Sequence, residues 1–395
     1  MMRPTLILTG LLALGVLGGA SMQSSVTRKS PWQADQADPT KIPTVYVVPL
    51  RGQLGTDIHS SIYGEIVKDV KAKKPDLILF TLESADIDRN DYLQNDNQEE
   101  ASLSNFEDAR ILMRYLKEDL KDFPQAMWVK DSVGFGSIIA MGWPDMFMAP
   151  DARLWGLGRV MMLARHPDYE VTRKFLAAVT GIAGGFLEYG GYDSKVLGEA
   201  MMRPERRLSV SWEGRELKWR ADDKGQYVID NDEKAVANFN AKTAEDFLIS
   251  DGTAEDIDEV MFLLGYREWN DSLVKEKKDG TRIIDDYIKK WRAAFDNCET
   301  WLKDARREQE WASGDDALAH LGKAKKAYEN ILDAFETYPA VETRWGRRGV
   351  RKADIELQIK TLKERITAMQ KAKQNRSGSG SGPGGGVRGA GGGAR

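Results

Sequence analysis

The chain has 395 residues, a net charge of −4 and 42% hydrophobic residues. This length and composition suffice for a globular protein with one large or two ordinary domains. Charges of both signs are interspersed, so no positive field favours binding to nucleic acid or to an anionic membrane surface. The single cysteine, Cys298, excludes an intrachain disulfide framework, and three histidines leave few ligands for a structural metal. We therefore expect no metal and no cofactor.

Residues 1–20 have the pattern of a secretory signal. An arginine precedes an apolar run from Leu6 to Leu17, and small residues follow. The run is shorter than the roughly 20 apolar residues that span a bilayer. We therefore expect cleavage after Ala20 rather than retention as an anchor. We therefore expect the protein to be extracytoplasmic, either periplasmic or secreted. It would be anchored in the inner membrane only if the segment is retained. Residues 21–43 are polar and predict a linker.

Strand and helix patterns alternate between residues 44 and 267. Apolar, β-branched runs that fit strands buried on both faces are separated by helical periodicity. Such alternation predicts parallel strands covered by helices. The segments are TVYVVPL, SSIYGEIVKDVKAKK, DLILFTL, NFEDARILMRYLKEDLKDF, QAMWVKD, IIAMGW and DMFMAP. Residues 206–229 instead alternate in polarity around the turn dipeptides Glu213-Gly214 and Lys224-Gly225, which predicts an antiparallel insertion.

Residues 283–372 predict an all-α, coiled-coil-like region. Apolar residues recur at helical spacing in three successive stripes, and charged residues fill the other faces. The stripes either pack only on one another in a small bundle, or dock in part against a partner or a second copy. They consist of Ile284, Ile288, Trp291, Phe295, Cys298 and Leu302; of Leu318, Leu321, Tyr328, Ile331, Phe335 and Tyr338; and of Ile355, Ile359, Leu362, Ile366 and Met369. Residues 373–395 are Gly-rich and predict a disordered tail.

The order of these segments resembles the Clp-protease/crotonase superfamily. The resemblance covers about residues 44 to 266 and rests on VYVVPLRGQLG, PDLILFTLES, QAMWVKDSVGFGSIIAMGWPDMFMAPDARLWGLG and NAKTAEDFLISDGTAEDIDEVMFLLG. Its closest branch is the membrane-associated serine proteases of the NfeD and signal peptide peptidase A type, in a planctomycete-like secreted variant. The resemblance implies a ββα spiral domain ahead of the helical region, a peptide or protein as partner, and a homo-oligomer.

The resemblance also implies where a catalytic site would lie, and two parts of that site are missing. Active members carry a Gly-Gly turn after the second strand, whose peptide N–H groups bind the developing oxyanion. This chain reads LESADIDRND there. The nucleophile normally opens the helix after the third strand, and that position falls on Gly134 in the triplet GFG. Gly134, Phe135 and Gly136 are the predicted substrate-binding residues.

Two serines near Gly134 are candidate nucleophiles. Ser137 follows on the helix, and Ser132 precedes at the strand end. Their alternative interpretations are a helix serine bonded to a backbone carbonyl and a turn-capping hydroxyl. Ser-Lys members of the family place their base at a distance that matches Lys174. The neighbouring Arg173 indicates instead an exposed helix face, where a lysine is not desolvated.

Histidines offer a Ser-His-Asp alternative. His166 and Asp168, in RHPDY, fall in the broad region where the Clp branch would need them, although a loop histidine before proline is the simpler interpretation. His59, in TDIHSS, sits at the start of the first helix, where one of the polar residues at 56, 57 and 60 is predicted to be the N-terminal cap.

Three hypotheses follow from these patterns. The first is a secreted, Clp-class serine protease-like protein that is catalytically degenerate and serves as a peptide-binding, protein-binding or assembly module. The second is an active extracytoplasmic serine peptidase that uses Ser137 or Ser132 with Lys174 or His166. The third is a structural envelope protein in which the helical region carries the function.

Overall fold

A computed structural model describes residues 42–84, 103–156 and 169–378 of the chain. Short π-helical turns span Arg114–Glu118 and Ser194–Gly198. The strands are β1 Val45–Arg51, β2 Leu77–Glu83, β3 Gln125–Val133, β4 Met146–Met148, β5 Arg153–Trp155, β6 Leu208–Glu213, β7 Glu216–Arg220, β8 Tyr227–Asp230, β9 Asn238–Asn240 and β10 Gly252–Thr253. The helices are α1 Ser60–Lys73, α2 Leu103–Met113, α3 Phe135–Ala140, α4 Tyr169–Tyr189, α5 Glu199–Met202, α6 Ala241–Asp246, α7 Ile257–Leu263, α8 Ser272–Lys275, α9 Gly280–Glu310, α10 Ala317–Thr337, α11 Pro339–Arg347 and α12 Lys352–Gly378.

The main sheet is parallel along the order β1-β2-β3-β4-β10, and it branches at β3. The first part of β3 pairs with β4, whereas its end pairs with β5 through Ser132 opposite Leu154. Strand β9 then lies antiparallel to β5. The predicted fold class, an α/β domain with parallel strands followed by an all-α region, is confirmed.

Both faces of the sheet are buried, which explains the continuous apolar runs in its strands. In β1, Tyr46 and Val48 belong to one hydrophobic cluster, while Val45 and Val47 belong to the cluster on the opposite face. The same alternation runs through β2 and β3. Since successive side chains of a strand point to opposite faces, a strand covered on both sides has to be apolar at every position.

The insertion between α5 and β9 is a separate antiparallel sheet with the order β7-β6-β8, as predicted. Gly214 has φ +68° in the turn that joins β6 to β7. A residue without Cβ adopts this left-handed conformation without steric cost. The predicted turn at Glu213-Gly214 is therefore present.

The apolar stripes of the helical region form one core together with a face of the sheet, rather than packing only on one another. Residues of α9, α10 and α12 are buried in the same cluster as one face of the sheet. These residues include Ile284, Ile288, Trp291, Cys298, Leu321, Tyr328, Ile331, Phe335, Ile355, Ile359 and Leu362. The short helix α11, which begins with Pro339 at a position where the missing N–H costs nothing, was not predicted.

The helical region is fixed to the α/β region through the loop between β1 and α1. The guanidinium of Arg292 lies 3.1 Å from Oδ1 of the buried Asp57. Nearby, the Tyr287 hydroxyl donates to the carbonyl of Thr56. Helix α9 therefore covers the carboxyl end of β1, at the edge of a parallel sheet where sites of α/β proteins are commonly found.

No helix among the described residues is long and apolar enough to cross a membrane. The predicted signal at 1–20 and residues 21–41 of the predicted linker lie outside the described residues. So does most of the predicted Gly-rich tail, although α12 continues past the predicted boundary at residue 372 and ends at Gly378.

Candidate functional site

The turn between β3 and α3 has a conformation that only glycine adopts easily. Gly134 is the N-cap of α3, with φ +82° and ψ −138°. Its backbone N–H donates a 3.0 Å hydrogen bond to the carbonyl of Trp155 on β5. A side chain at this φ would meet its own backbone. The residue that opens the helix therefore places bare backbone, rather than a hydroxyl, at the predicted nucleophile position.

Three buried serines meet beside this turn. Ser84 follows β2, Ser132 lies near the end of β3, and Ser137 lies on α3. The hydroxyl oxygens of Ser84 and Ser132 are 2.8 Å apart, and those of Ser132 and Ser137 are 3.2 Å apart. All three are almost completely inaccessible to solvent. Each hydroxyl thus finds its hydrogen-bond partners within the protein, as buried polar groups require.

The backbone of Gly136 is packed against this serine cluster. A Cβ added at Gly136 would lie 2.1 Å from the Ser84 hydroxyl oxygen and 2.9 Å from that of Ser132. Both distances are far shorter than van der Waals contact. Gly136 is therefore required for the close approach of α3 to the ends of β2 and β3.

Ser137, the first candidate nucleophile, donates to the backbone. Its hydroxyl lies 3.1 Å from the carbonyl oxygen of Ser132, five residues earlier near the end of β3. This contact matches the alternative interpretation from sequence, a helix serine bonded to a backbone carbonyl. A carbonyl oxygen accepts a hydrogen bond but does not remove the proton, so this contact does not activate the hydroxyl.

The predicted bases are not joined to the serines in the described part of the chain. Lys174 is exposed on α4, and no hydrogen bond links it to Ser132 or Ser137 within the residues that the structure describes. Its neighbour Arg173 is also exposed and pairs with Glu170 along the same helix. His166 lies outside the described residues. The catalytic roles of these residues stay predictions.

Phe135, a predicted substrate-binding residue, lies in the hydrophobic core. Its ring packs edge-on against Phe106, with centroids 4.7 Å apart, and it also contacts Phe186. Aromatic pairs of this geometry stabilise a core beyond the area they bury. Phe135 thus anchors α3 to α2 and α4, while Gly134 and Gly136 form the turn and the close contact with the serines. Substrate binding by the three residues stays a prediction.

An ion pair between Asp131 and Arg153, next to the turn, was not predicted from the sequence. The carboxylate of Asp131 is buried near the end of β3 and accepts two hydrogen bonds from the Arg153 guanidinium, at 2.9 and 2.5 Å. It accepts a third from the Arg153 backbone N–H. A bidentate pair of this kind neutralises the buried charge and fixes the branch point of β3 and β5. The signal was an aspartate near the end of a mostly apolar strand.

The start of the first helix differs from prediction. The N-cap of α1 is His59 itself, because its Nδ1 accepts the backbone N–H of Ser61 at 3.2 Å. The predicted caps at 56, 57 and 60 have other partners: the Asp57 carboxylate accepts the Gln53 N–H, and the Ser60 hydroxyl donates to Asp108. Imidazole nitrogen can replace the usual carboxylate or hydroxyl oxygen as acceptor.

Within the described ranges, no group of three His, Cys, Asp or Glu side chains is arranged to hold a metal ion. Cys298 is buried in the helical region, and burial raises the pKa of its thiol to about 12. It therefore stays protonated and unreactive at neutral pH, because the thiolate is the nucleophile.

The chain has only low similarity to known proteins. No protein-family model and no curated protein sequence matches the chain. Among solved structures, the chain is similar to a serine-to-alanine mutant of the 1510-N membrane-bound stomatin-specific protease, with 12% identity over 56% of this chain and 85% of that chain, at a TM-score of 0.33. It is also similar to a lysine-to-alanine mutant of the same protease in complex with a substrate peptide, with 11% identity over 55% of this chain and 78% of that chain, at the same TM-score.

Proposed function

We propose that the chain is a Clp/crotonase-like, serine protease-like protein that is catalytically degenerate and acts as a peptide-binding, protein-binding or assembly module. One observation carries this proposal. The residue that opens α3 is Gly134, and the flanking hydroxyls of Ser132 and Ser137 are buried and bonded to each other. Covalent catalysis by serine needs a hydroxyl that faces the substrate and a base that takes its proton.

Neither requirement is met by the contacts around the turn. The Ser137 hydroxyl donates to a carbonyl, and the Ser132 hydroxyl shares hydrogen bonds with two other hydroxyls. Asp131, the carboxylate on β3, forms a bidentate ion pair with Arg153. A proton leaving either serine would have no basic acceptor among these groups. The site therefore favours a structural role for the serines.

The open edge of β8 supports peptide binding. Strand β8 pairs only with β6 among the described strands, so its other edge presents backbone N–H and C=O groups. Tyr227 and Val228 on this strand are 52% and 47% exposed. The ring of Tyr227 lies 5.7 Å from the ring of Phe247, and the next residue, Leu248, is also exposed. An extended peptide that adds a strand to β8 would satisfy the backbone groups and cover these apolar side chains.

A labelled peptide tests this binding. The probe is a fluorescein-labelled octapeptide of alternating valine and threonine, and binding is measured by fluorescence polarisation. We expect Val228→Lys to weaken binding at least tenfold, because a charge at an exposed strand edge opposes strand addition. The control is Leu357→Lys on α12, whose side chain is also exposed. Equal binding by the wild type and Val228→Lys, or no binding by the wild type, would reject β8 as the binding edge.

A peptidase assay tests the degenerate site. We expect the full chain to release no peptides from fluorescein-labelled casein above the rate of a heat-treated sample, and the double variant Ser132→Ala, Ser137→Ala to behave identically. Cleavage that this double variant abolishes would establish the alternative, an active extracytoplasmic serine peptidase. Lys174→Ala and His166→Ala would then identify its base, because removal of a general base costs about a hundredfold or more in rate.

We further propose that the protein is extracytoplasmic and attaches to a membrane only if its N-terminal segment is retained. We also propose that it assembles into a homo-oligomer. Its other partners are peptides or proteins, not nucleic acid. Phe262 supports self-association, since this residue of α7 exposes 69% of its surface. Light scattering of the purified chain measures the mass. We expect an oligomer that Phe262→Glu weakens and Leu357→Glu does not; a monomeric wild type would reject the assembly.

A further inference from the structure

A second group of catalytic residue types lies at the start of α1, away from the turn between β3 and α3. The His59 imidazole stands between a serine and an aspartate. Its Nδ1 is 2.9 Å from the hydroxyl oxygen of Ser61, and its Nε2 is 3.4 Å from Oδ1 of Asp108. Ser61 is exposed, His59 is half-buried and Asp108 is buried.

The hydrogen bonds fix which ring nitrogen of His59 carries the proton. Nδ1 accepts the backbone N–H of Ser61 at 3.2 Å, so this nitrogen presents its lone pair and carries no proton. The proton of the neutral ring is therefore on Nε2, where it faces Asp108. Nδ1 is thus the basic atom, and the Ser61 hydroxyl is the side-chain donor next to it. The order of serine, imidazole and carboxylate is that of a proton relay, with the two ring nitrogens exchanged relative to serine proteases.

Asp108 is held in place by its own hydrogen bonds. The backbone N–H of Ser60 donates to both carboxylate oxygens, at 3.2 and 3.1 Å, and the Ser60 hydroxyl donates to Oδ1. These bonds orient the carboxylate from the first turn of α1, so the aspartate reaches His59 without moving. A fixed carboxylate of this kind holds an imidazole in one tautomer and stabilises the imidazolium that forms during reaction.

We propose that Ser61 is a nucleophile that accepts acyl groups from small carboxylic esters, with His59 as its base and Asp108 as a positioning residue. The Ser61 oxygen attacks the carbonyl carbon, and its proton passes to His59 Nδ1. The bond to the leaving alkoxide breaks, and the alkoxide departs with a proton from the imidazolium or from water. Water then attacks the acyl-serine with His59 again as base, and releases the acid. The exposed Ser61 hydroxyl suits an unhindered acyl group.

Two features of the surroundings agree with this role. Burial lowers the pKa of His59, against the opposing effect of Asp108, so the ring is neutral and able to accept a proton at pH 7. The Tyr287 hydroxyl also lies close to Ser61. Because this phenol donates to the carbonyl of Thr56, its oxygen can accept the Ser61 hydrogen, but it is far less basic than imidazole. Only His59 can take the proton in the reaction.

Acetylation by p-nitrophenyl acetate tests the inference. We expect a burst of nitrophenolate and an acetyl group on Ser61, in the tryptic peptide of residues 52–68. Ser61→Ala should abolish that adduct, and His59→Asn should slow its formation about a hundredfold or more. Asparagine retains an acceptor for the Ser61 N–H, so the cap of α1 is preserved. The matched control is Ser313→Ala, which removes an exposed serine of the helical region.

The Asp108→Asn variant tests whether Asp108 positions the His59 imidazole or only stabilises the fold. Because Asp108 raises the pKa of His59, the variant should shift the midpoint of the pH–rate profile to lower pH as well as reduce the rate. The other charged group of the loop, Asp57, is paired with Arg292 and is unchanged. An unmodified Ser61, or equal rates in wild type and His59→Asn, would overturn the inference. An adduct on the tryptic peptide of residues 131–153 would instead overturn the proposed degeneracy of the other site.

Discussion

The hydroxyl oxygen of Ser132 lies 2.8 Å from that of Ser84, although the two serines are 48 residues apart in the chain. This contact joins the ends of the neighbouring strands β2 and β3 at the edge of the sheet where the resemblance implies a catalytic site. Ser137 extends the contact to α3. The hydroxyls of the two candidate nucleophiles thus lie where three elements meet.

Gly136→Ala should destabilise the protein by about 1–3 kcal/mol, because the added methyl group would overlap the Ser84 hydroxyl and force α3 away from the sheet. The measurement is the free energy of unfolding in urea. Gly181→Ala is the matched control, since its Cβ would point into open space on α4 and alanine favours a helix by up to about 1 kcal/mol. If both variants were equally stable, α3 would not be packed as described.

Gly134→Ser should lower stability by about 1–3 kcal/mol and create no peptidase activity. The substitution restores a hydroxyl at the predicted nucleophile position but places a side chain at φ +82°. Thermal unfolding measures the cost, with Gly322→Ala as a glycine replacement that has free space around it. A stable Gly134→Ser variant that cleaves casein would show that the site lacks only its hydroxyl.

Arg292→Met should destabilise the protein by about 1.5–3 kcal/mol, because it leaves the buried carboxylate of Asp57 without its cation. Lys303→Met is the control, since Lys303 forms only an exposed pair with Glu299 within α9, and such pairs contribute about 0.5 kcal/mol or less. Urea unfolding of the two variants compares them. Similar losses would mean that the helical region is not fixed through Asp57.

The pH dependence of stability should show the burial of Lys117. Burial against the Trp143 ring lowers the pKa of Lys117 to about 8, with Asp145 acting in the opposite direction. The folded state therefore binds fewer protons than the unfolded state above that pH, and the free energy of unfolding rises between about pH 8 and 10.4.

Lys117→Met isolates this contribution. The variant should be more stable than the wild type at pH 7, by about 1–3 kcal/mol, and the difference should shrink as the pH rises. Lys360→Met on α12, where the lysine is exposed, provides the control. A difference that is constant with pH would contradict the depressed pKa.

The sequence was sufficient to predict the parallel sheet and the helical stripes because each depends on a local period. Alternate residues of β1 had to be apolar on both faces, and the stripe around Ile284 and Trp291 had to face a core. The absence of a nucleophile at Gly134 was also visible, since it requires only the position of one residue after a strand.

Contacts between distant segments could not be predicted in this way. The meeting of Ser84 with Ser132 depends on strand register, and the pairing of Arg292 with Asp57 depends on how α9 crosses the loop after β1. The cap at His59 was missed because histidine is an uncommon cap, and its role depends on the conformation of Ser61. The relay to Asp108 needs α2 to be placed beside α1.

We propose that no activated hydroxyl faces the turn between β3 and α3. The most direct measurement is treatment of the full chain with diisopropyl fluorophosphate, followed by mass analysis of the tryptic peptide that runs from Asp131 to Arg153 and holds both candidate serines. We predict that this peptide keeps its unmodified mass. A stoichiometric diisopropylphosphoryl adduct on Ser132 or Ser137 would contradict this proposal and identify a working serine hydrolase.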